Sequence, residues 1–437
     1  MSFKGQSLVL VVLLTVLNFI SISSVSAQVT VNTVEDPKAM GYPDGRKIVR
    51  DTSGNLYLAY RKKLGSAYQV YVSKSTNGGA SWTVANGGNS ISNISGACNQ
   101  RVPSIAVDSA NVLHVVWYGL DSNCSSSASN ERQVKYSRSF DGGATWTTAQ
   151  NIAFVSGYSD TYVYNGTTYA QDYWQEHPVI YIDGNDKIYV VWEGRDAAHE
   201  RIGQVKFIKS TNGGNNWTSW INVKETTSSQ SRPTIVVDSN DKIFVFSYSK
   251  LPGTSQINII YATSTDGGAT FSSWAAVSAT NTYDQRHASA AIDTGNKIHL
   301  VWRQRDAASG AKTVVKYSKF TSPSWSAPVT VAAASGKNQY FPSIANAYGS
   351  QFIVWTETAD DAAYPSEEPT TGKIVLAKKA QGTSVWVKSD ITADGFNTWG
   401  SIRWSFNRIN GGTVDVVYSS GSAAPYSVIY QSLGSWQ

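Results

Sequence analysis

The chain has 437 residues, of which 41% are apolar, 12% aromatic and 15% charged, and its formal net charge is +5 at pH 7. This composition excludes a disordered, collagen-like or coiled-coil chain, and the small, dispersed positive charge argues against a nucleic-acid-binding protein. The 35 glycines, 12 prolines and abundant Trp, Tyr and Phe are typical of short strands joined by tight turns, which predicts an all-β fold.

The N-terminal segment has the pattern of a secretory signal. Lys4 precedes an apolar run over residues 8–20, and small or polar residues follow as far as Ala27. The run has 13 residues, whereas a membrane-spanning helix needs about 20, which disfavours the alternative of a retained anchor. We therefore expect residues 1–27 to be removed and residues 28–437 to form one domain. The mature protein is expected to be secreted or periplasmic, with no membrane span.

A repeated unit governs the rest of the chain. A short strand that ends in an aromatic residue recurs seven times, at residues 56–60, 113–117, 188–192, 243–246, 298–302, 352–355 and 414–418. In the second copy it is one of four strand signals separated by clusters of Gly, Asn, Asp and Ser. Four strands per unit are typical of a propeller blade. We predict a seven-bladed β-propeller of four-stranded antiparallel blades.

The seventh unit lacks an outer strand. It supplies strand signals at 401–405, 414–418 and 427–431, and the chain then nearly ends. Residues 29–34 form a strand signal that belongs to no unit. We predict that this N-terminal strand completes the last blade, because the pairing covers an exposed sheet edge and ties the two termini together.

Four units share a distinctive turn, at residues 75–82, 139–146, 210–217 and 264–271. Each turn has a Ser, an Asp or Asn, two glycines and a closing aromatic, so that a side-chain oxygen accepts turn amides and the glycines allow positive φ. The turn resembles the Asp-box, or bacterial neuraminidase repeat, of the sialidase superfamily. The resemblance implies a sialidase-type propeller with glycan ligands. True sialidases of that superfamily resemble six-bladed propellers, so a six-bladed propeller is the alternative to the seven-bladed one predicted above.

Candidate site residues lie where loops of a propeller gather around the central channel. These loops precede the inner strands or join the second and third strands of a blade, and we call their side of the ring the top face. The candidates there are Arg101, Asp121, Glu176, His177, Arg232, Arg286, His287, Tyr340 and Glu357.

The resemblance implies roles for most of these residues. Residues 101–103, Arg-Val-Pro, are similar to the Arg-Ile-Pro motif of sialidases. By residue type and chain order, it implies Arg101, Arg232 and Arg286 as a clamp for a carboxylate. It further implies Asp121 as acid and base, and Tyr340 as nucleophile assisted by Glu176 or Glu357. The structural alternative is that the arginines bridge blades, that Tyr340 packs in the core, and that Glu176 and His177 form a solvated rim.

Three functions are compatible with these residues. The first is a sialidase-like glycoside hydrolase, and the second is a non-catalytic module that binds glycans or proteins through its many Trp and Tyr residues. The third is a polysaccharide lyase or another glycosidase that uses His177 or paired carboxylates. In each case the expected partner is a glycan or glycoconjugate and the protein is expected to be a monomer. The five histidines show no ligand spacing, so we predict neither a metal nor a cofactor.

The two cysteines are placed at one end of the second blade by the predicted fold. Cys98 precedes its inner strand, and Cys124 lies in the loop between its second and third strands. A disulfide is the resulting hypothesis in an oxidising compartment, and a pair of buried thiols is the alternative.

Overall fold

The computed structural model describes residues 26–92, 98–120, 132–155, 161–164, 167–170, 173–278, 283–306, 312–332, 336–359, 369–407 and 411–436. Within these ranges seven antiparallel sheets form a seven-bladed β-propeller, which confirms the predicted fold class. The only helical segment in the same ranges is a 3-10 turn at Asn86–Gly88. No helix in the described part of the chain is long and apolar enough to cross a membrane.

Within each blade below, the strands are given in order from the innermost to the outermost. Strand β1 (Val29–Val34) comes first in the chain. Blade one contains β2 (Ile48–Arg50), β3 (Leu56–Leu64), β4 (Ala67–Ser75) and β5 (Thr83–Val84). Blade two contains β6 (Gln100–Val107), β7 (Leu113–Gly119), β8 (Gln133–Ser139) and β9 (Gln150–Ala153). A hairpin that the sequence did not predict follows, with β10 (Thr161–Tyr164) and β11 (Thr167–Ala170).

The middle of the chain forms blades three to five. Blade three contains β12 (Gln175–Ile182), β13 (Ile188–Asp196), β14 (His199–Ser210) and β15 (Ile221–Asn222). Blade four contains β16 (Ser231–Val237), β17 (Ile243–Lys250), β18 (Ile257–Ser264) and β19 (Ala275–Ala276). Blade five contains β20 (Gln285–Ile292), β21 (Ile298–Asp306) and β22 (Lys312–Thr321), and two short strands pair with β22, namely β23 (Ser324–Trp325) and β24 (Val329–Thr330).

The last two blades complete the ring. Blade six contains β25 (Asn338–Ala347), β26 (Ser350–Thr358), β27 (Lys373–Lys379) and β28 (Val387–Asp390). Blade seven contains β29 (Asn397–Asn407), β30 (Gly411–Ser420) and β31 (Tyr426–Trp436), with β1 as its fourth strand. The inner strand of each blade contacts the inner strand of the next, and β29 contacts β2, so the ring is closed.

Pairing of the two chain ends closes the seventh blade. Strand β1 runs antiparallel to β31, with Thr30 opposite Ile429 and Thr33 opposite Ser427. The predicted role of the N-terminal strand is therefore confirmed. Val34 is fully buried and packs with β3 of blade one as part of one apolar cluster, which also anchors the closed blade to its neighbour.

The four glycine-rich turns contain the local hydrogen bonds expected from their sequence. In blade two, Oγ of Ser139 donates to Oδ1 of Asp141 (2.8 Å) and accepts from the N–H of Gly143 (2.8 Å). The second glycine also permits close contact between blades. At Gly214 (φ +80°), an added Cβ would lie only 2.1 Å from Oη of Tyr136 on the preceding blade.

Two histidines, each the second residue of the second strand of its blade, belong to the framework. Nδ1 of His114 lies 2.7 Å from Oη of Tyr136, and Nδ1 of His299 lies 2.7 Å from Oη of Tyr317. Cys98 is buried, but Cys124 lies outside the described residues. The Cys98–Cys124 disulfide therefore stays a prediction.

Closure by β1 predicts a specific loss of stability. Replacing the buried Val31 and Val34 with Ala is expected to lower the free energy of unfolding by about 3 kcal/mol, at about 0.8 kcal/mol per buried methylene. The matched control replaces the exposed Thr30 and Thr33 of the same strand with Ala, and it is expected to change the free energy of unfolding little. Denaturant unfolding of both double variants measures the difference, and equal losses would contradict the closure argument.

Candidate functional site

Six of the seven inner strands begin with the same bulge. In each, the antiparallel register slips by one residue near the strand start, and a residue with a Cβ takes a left-handed conformation with φ between 49° and 60°. These residues are Val102, His177, Arg232, His287, Phe341 and Trp399. This conformation is strained for bulky residues, so its recurrence at one position indicates that the fold requires it there. Bulges of this kind change the direction in which a side chain points.

Five of the redirected side chains meet around Tyr42, which comes from the segment between β1 and β2. The ring centroid of Tyr42 lies 5.2 to 5.7 Å from four aromatic rings, those of His177, His287, Phe341 and Trp399. The guanidinium carbon of Arg232 lies 3.4 Å from the same centroid. Since these residues come from blades three to seven, the Tyr42 ring lies on the propeller axis. We call Tyr42, Asp44, His177, Glu193, Arg232, Tyr248 and His287 the axial cluster.

His177 and Glu193 form the closest pair of titratable groups in this cluster. Nδ1 of His177 lies 2.6 Å from Oε1 of Glu193. Glu193 also accepts hydrogen bonds from the Ser231 hydroxyl and the backbone N–H of Arg232, and Nε of Arg232 lies 3.8 Å from its Oε1. The carboxylate thus lies against the Nδ1 edge of the imidazole, although Nδ1 has no hydrogen bond of good geometry among the described residues.

His287 lies on the other side of Tyr42. Its ring is nearly parallel to that of Tyr42 (7°) and is edge-on to Tyr248, with both centroid distances 5.7 Å. Its Nδ1 lies 4.0 Å from Oδ1 of Asp44. His287 is only 2% exposed and His177 is 7% exposed, so His177 is the more accessible imidazole.

Both imidazoles of the axial cluster favour the neutral form. Burial lowers the pKa of His177 and of His287 well below the ordinary value of 6.5, and nearby cations, above all Arg232 for His177 and Arg303 for His287, lower it further. Burial raises the pKa of Asp44 to about 6. Burial alone would lower the pKa of Arg232, but Tyr42 and Glu193 raise it overall, so this guanidinium stays charged.

A cleft reaches the axial cluster from the side of blades four and five. It has a volume of about 430 Å³, and its lining includes Ser231, Tyr248, Lys250 and Arg286. The guanidinium carbon of Arg286 lies 5.7 Å from the ring centroid of Tyr248. The cleft therefore offers hydroxyl groups and cations beside Tyr248, whose ring packs edge-on against His287. No group of three or more His, Cys, Asp or Glu suited to a metal ion occurs among the described residues.

Five of the candidates from the sequence lie in or beside the axial cluster. His177, His287 and Arg232 are part of it, and Arg286 lines the cleft. Glu176 is paired with Arg132, and its Oε2 lies 3.7 Å from Nδ1 of His177.

The other candidates are placed differently. Tyr340 exposes none of its surface, and its ring lies 5.7 Å from the guanidinium carbon of Arg303. Glu357 is 1% exposed, and its Oε2 accepts a hydrogen bond from Nζ of Lys388 at 2.8 Å. The backbone of Arg101 lies opposite that of Tyr118 in β7, and the Tyr118 ring lies 5.3 Å from the ring of His177. Asp121 lies outside the described residues.

Sequence reasoning gave no role to four members of the axial cluster, namely Tyr42, Asp44, Glu193 and Tyr248. Tyr42 and Asp44 belong to a connecting segment that follows no repeat pattern, so no alignment of the units could identify them. Tyr248 lies near the end of a second strand, at a position where the units differ. His177 and His287 share one position of the repeat, and that shared position was the available signal.

Comparison with known proteins supports the fold alone. No protein-family model matches the chain, and no curated protein matches it. Among solved structures, an ulvan lyase of polysaccharide lyase family PL25 aligns with a TM-score of 0.60 and 10% identity, covering 92% of this chain and 95% of that one. Polysaccharide lyase Uly1 aligns at 0.53 and 11% identity, covering 93% and 99%. Trypanosoma rangeli sialidase aligns at 0.52 and 11% identity, covering 93% of this chain and 59% of that chain.

The charge state of the cluster can be measured directly. The imidazole resonances of His177 and His287 are expected to titrate with midpoints well below 6.5, because burial and the adjacent arginines oppose protonation. NMR titration measures the midpoints, and the variants His177→Gln and His287→Gln assign the two signals. Midpoints at or above 6.5 would contradict the electrostatic picture.

Proposed function

We propose that the protein cleaves a uronic-acid-containing polysaccharide by β-elimination, with His177 as the base. This reaction needs a neutral base for the proton next to a carboxylate, a cation that neutralises that carboxylate, and an acid for the leaving oxygen. The observation that carries the proposal is the neutral imidazole of His177, the more exposed of the two axial imidazoles, beside the charged Arg232.

The base and its orientation come from blade three. Glu193 holds the Nδ1 side of His177, so Nε2 takes the proton from C5 of the uronate. The electrons of the broken C5–H bond form a double bond between C4 and C5, and the C4–O glycosidic bond breaks. His177 is a suitable acceptor because its lowered pKa keeps it neutral near pH 7.

Arg232 and the cleft supply the remaining groups. Arg232 pairs with the substrate carboxylate and stabilises the negative charge that develops when C5 loses its proton. The hydroxyl of Tyr248 donates its proton to the departing O4. Burial raises the pKa of Tyr248, so the donor is protonated throughout the neutral range. Arg286, which lines the cleft together with Tyr248, adds a second cation.

The comparisons agree with an acidic glycan substrate. The ulvan lyase has also been solved bound to -[GlcA(1-4)Rha3S]-, a chain that contains a uronic acid, and that structure aligns with a TM-score of 0.58 and 10% identity. Retaining hydrolysis through Tyr340 is the competing function. The burial of Tyr340 favours elimination, because a nucleophile has to reach the sugar. The predicted secretory signal of residues 1–27 would deliver the protein to extracellular polysaccharides.

Activity assays distinguish the candidate functions. Protein lacking residues 1–27 is expected to cleave polyuronates and to produce an unsaturated sugar that absorbs in the ultraviolet. Hydrolysis would instead release new reducing ends without that absorbance. Binding of the polysaccharide with no cleavage would favour the lectin-like alternative and would falsify the proposed reaction.

The role of His177 predicts a large loss in one variant. His177→Ala is expected to lower kcat by about 10²- to 10⁴-fold, the usual contribution of a general base. The matched control is His199→Ala, because His199 is paired with Asp196 in blade three and does not contact the axial cluster. Similar losses in the two variants would argue that His177 acts through stability alone, which circular dichroism and thermal unfolding would check.

The pKa directions predict the pH profile. His177 is active only when neutral, and its pKa lies below 6.5, so kcat/KM is expected to fall only as pH drops below that value. Tyr248 is active only when protonated, and its pKa lies above 10.0, so activity is expected to persist into the alkaline range. Measurement of kcat/KM from acid to alkaline pH tests both limbs. An acid limb centred above 6.5 would exclude His177 as the base.

A further inference from the structure

His287 has no part in the steps above, although it occupies the same bulge position as His177. It contacts the ring of the proton donor, Tyr248, edge-on at a centroid distance of 5.7 Å. It also stacks on Tyr42 and packs edge-on against Phe341 at 5.0 Å. A titratable ring is therefore held between the axis of the propeller and the donor.

Asp44 lies beside this ring and lacks a protein partner for one oxygen. It is 8% exposed, and its Oδ1 has no hydrogen-bond partner in the described part of the chain. The same Oδ1 lies 4.0 Å from Nδ1 of His287, and the backbone carbonyl of Asp44 accepts a hydrogen bond from Thr234 at 3.1 Å. A buried carboxylate of this kind needs a structural or chemical reason to be retained.

We propose that Asp44 is a positioning residue that acts through His287 to return a proton to Tyr248. This role rests on the proposed elimination. After Tyr248 has given its proton to O4 it is a phenolate. His287 takes up a proton from solvent water, Asp44 stabilises the resulting imidazolium at Nδ1, and Nε2–H passes its proton to the phenolate oxygen. Tyr248 is then ready for another turnover, and the proton that His177 removed leaves to solvent.

Protonation of His287 needs a nearby anion, because the surrounding charges are mostly positive. The charged or titratable groups that act on His287 are Arg303, Arg232, Arg286, His177 and Asp44. Those that act on Asp44 are Arg232, Lys47, Glu193 and His287. Three arginines oppose the imidazolium form of His287, and Asp44 is the carboxylate that lies next to its Nδ1. Removing the charge of Asp44 should therefore make the protonated state harder to reach.

The test uses Asp44→Asn, which keeps the shape of the side chain and removes its charge. We expect kcat to fall about tenfold or more, less than the 10²- to 10⁴-fold contribution of a general acid or base itself. The ratio kcat/KM should be nearly unchanged, so KM should fall together with kcat, because the proton returns after the bond has broken. The NMR titration midpoint of His287 should also move to lower pH. The matched control is Asp36→Asn, in the same connecting segment but paired with Arg61.

A double-variant cycle separates this role from a structural one. If Asp44 acts through His287, then Asp44→Asn combined with His287→Gln should be no slower than His287→Gln alone. Independent losses that multiply would overturn the proposal. Asp44→Glu, which keeps the charge, should retain the wild-type titration midpoint of His287. If Asp44→Asn does not fold, Asp44→Ser, which also removes the charge, carries the NMR test and should lower that midpoint.

The outcomes also distinguish the two proposals. If the wild-type protein cleaves no polyuronate, the β-elimination function fails, and the catalytic role of Asp44 fails with it. If the wild-type protein cleaves the substrate and Asp44→Asn has an unchanged kcat, only the role of Asp44 is overturned. An unchanged titration midpoint of His287 in Asp44→Asn overturns the role of Asp44 whatever the activity.

Discussion

Pairing of β1 with β31 is the constraint on which the candidate site depends. It closes the seventh blade, buries Val34 between the first and last sheets, and fixes the start of the segment that crosses to blade one. That segment carries Tyr42 and Asp44 to the axis. The strand that protects a sheet edge from aggregation therefore also positions the centre of the axial cluster. Stability of the ring and geometry of the site are consequences of the same contact.

The bulges convert a regular framework into a varied site. Six of the seven inner strands begin with nearly the same backbone path, but the side chain in the left-handed position changes from Val102 through His177 and Arg232 to Trp399. A repeated fold usually repeats its surface chemistry. Here the blades repeat the direction in which one side chain points, whereas the residue type at that position differs from blade to blade. The top face can thus hold bases, a cation and aromatic surfaces without any change in the sheets.

Electrostatics gives the cluster a consistent chemical character. Burial and nearby arginines keep two imidazoles neutral, while Glu193 and Tyr42 keep Arg232 charged. Neutral bases beside a fixed cation suit the removal of a proton next to a carboxylate more than they suit attack by a buried tyrosine. This pattern favours elimination over hydrolysis, the reaction suggested by the types and order of the residues in the sequence.

The sequence alone determined the seven blades, the closing N-terminal strand and the top-face positions of Glu176, Arg232 and Arg286. These features follow from local patterns, namely apolar periodicity and turn chemistry, which repeat often enough to be recognised. Only the tertiary structure decided that Tyr42 and Asp44 reach the axis, that His177 pairs with Glu193, and that Tyr340 and Glu357 are buried. Those outcomes depend on contacts between different blades and on the handedness of the bulges, and neither leaves a local pattern in the sequence.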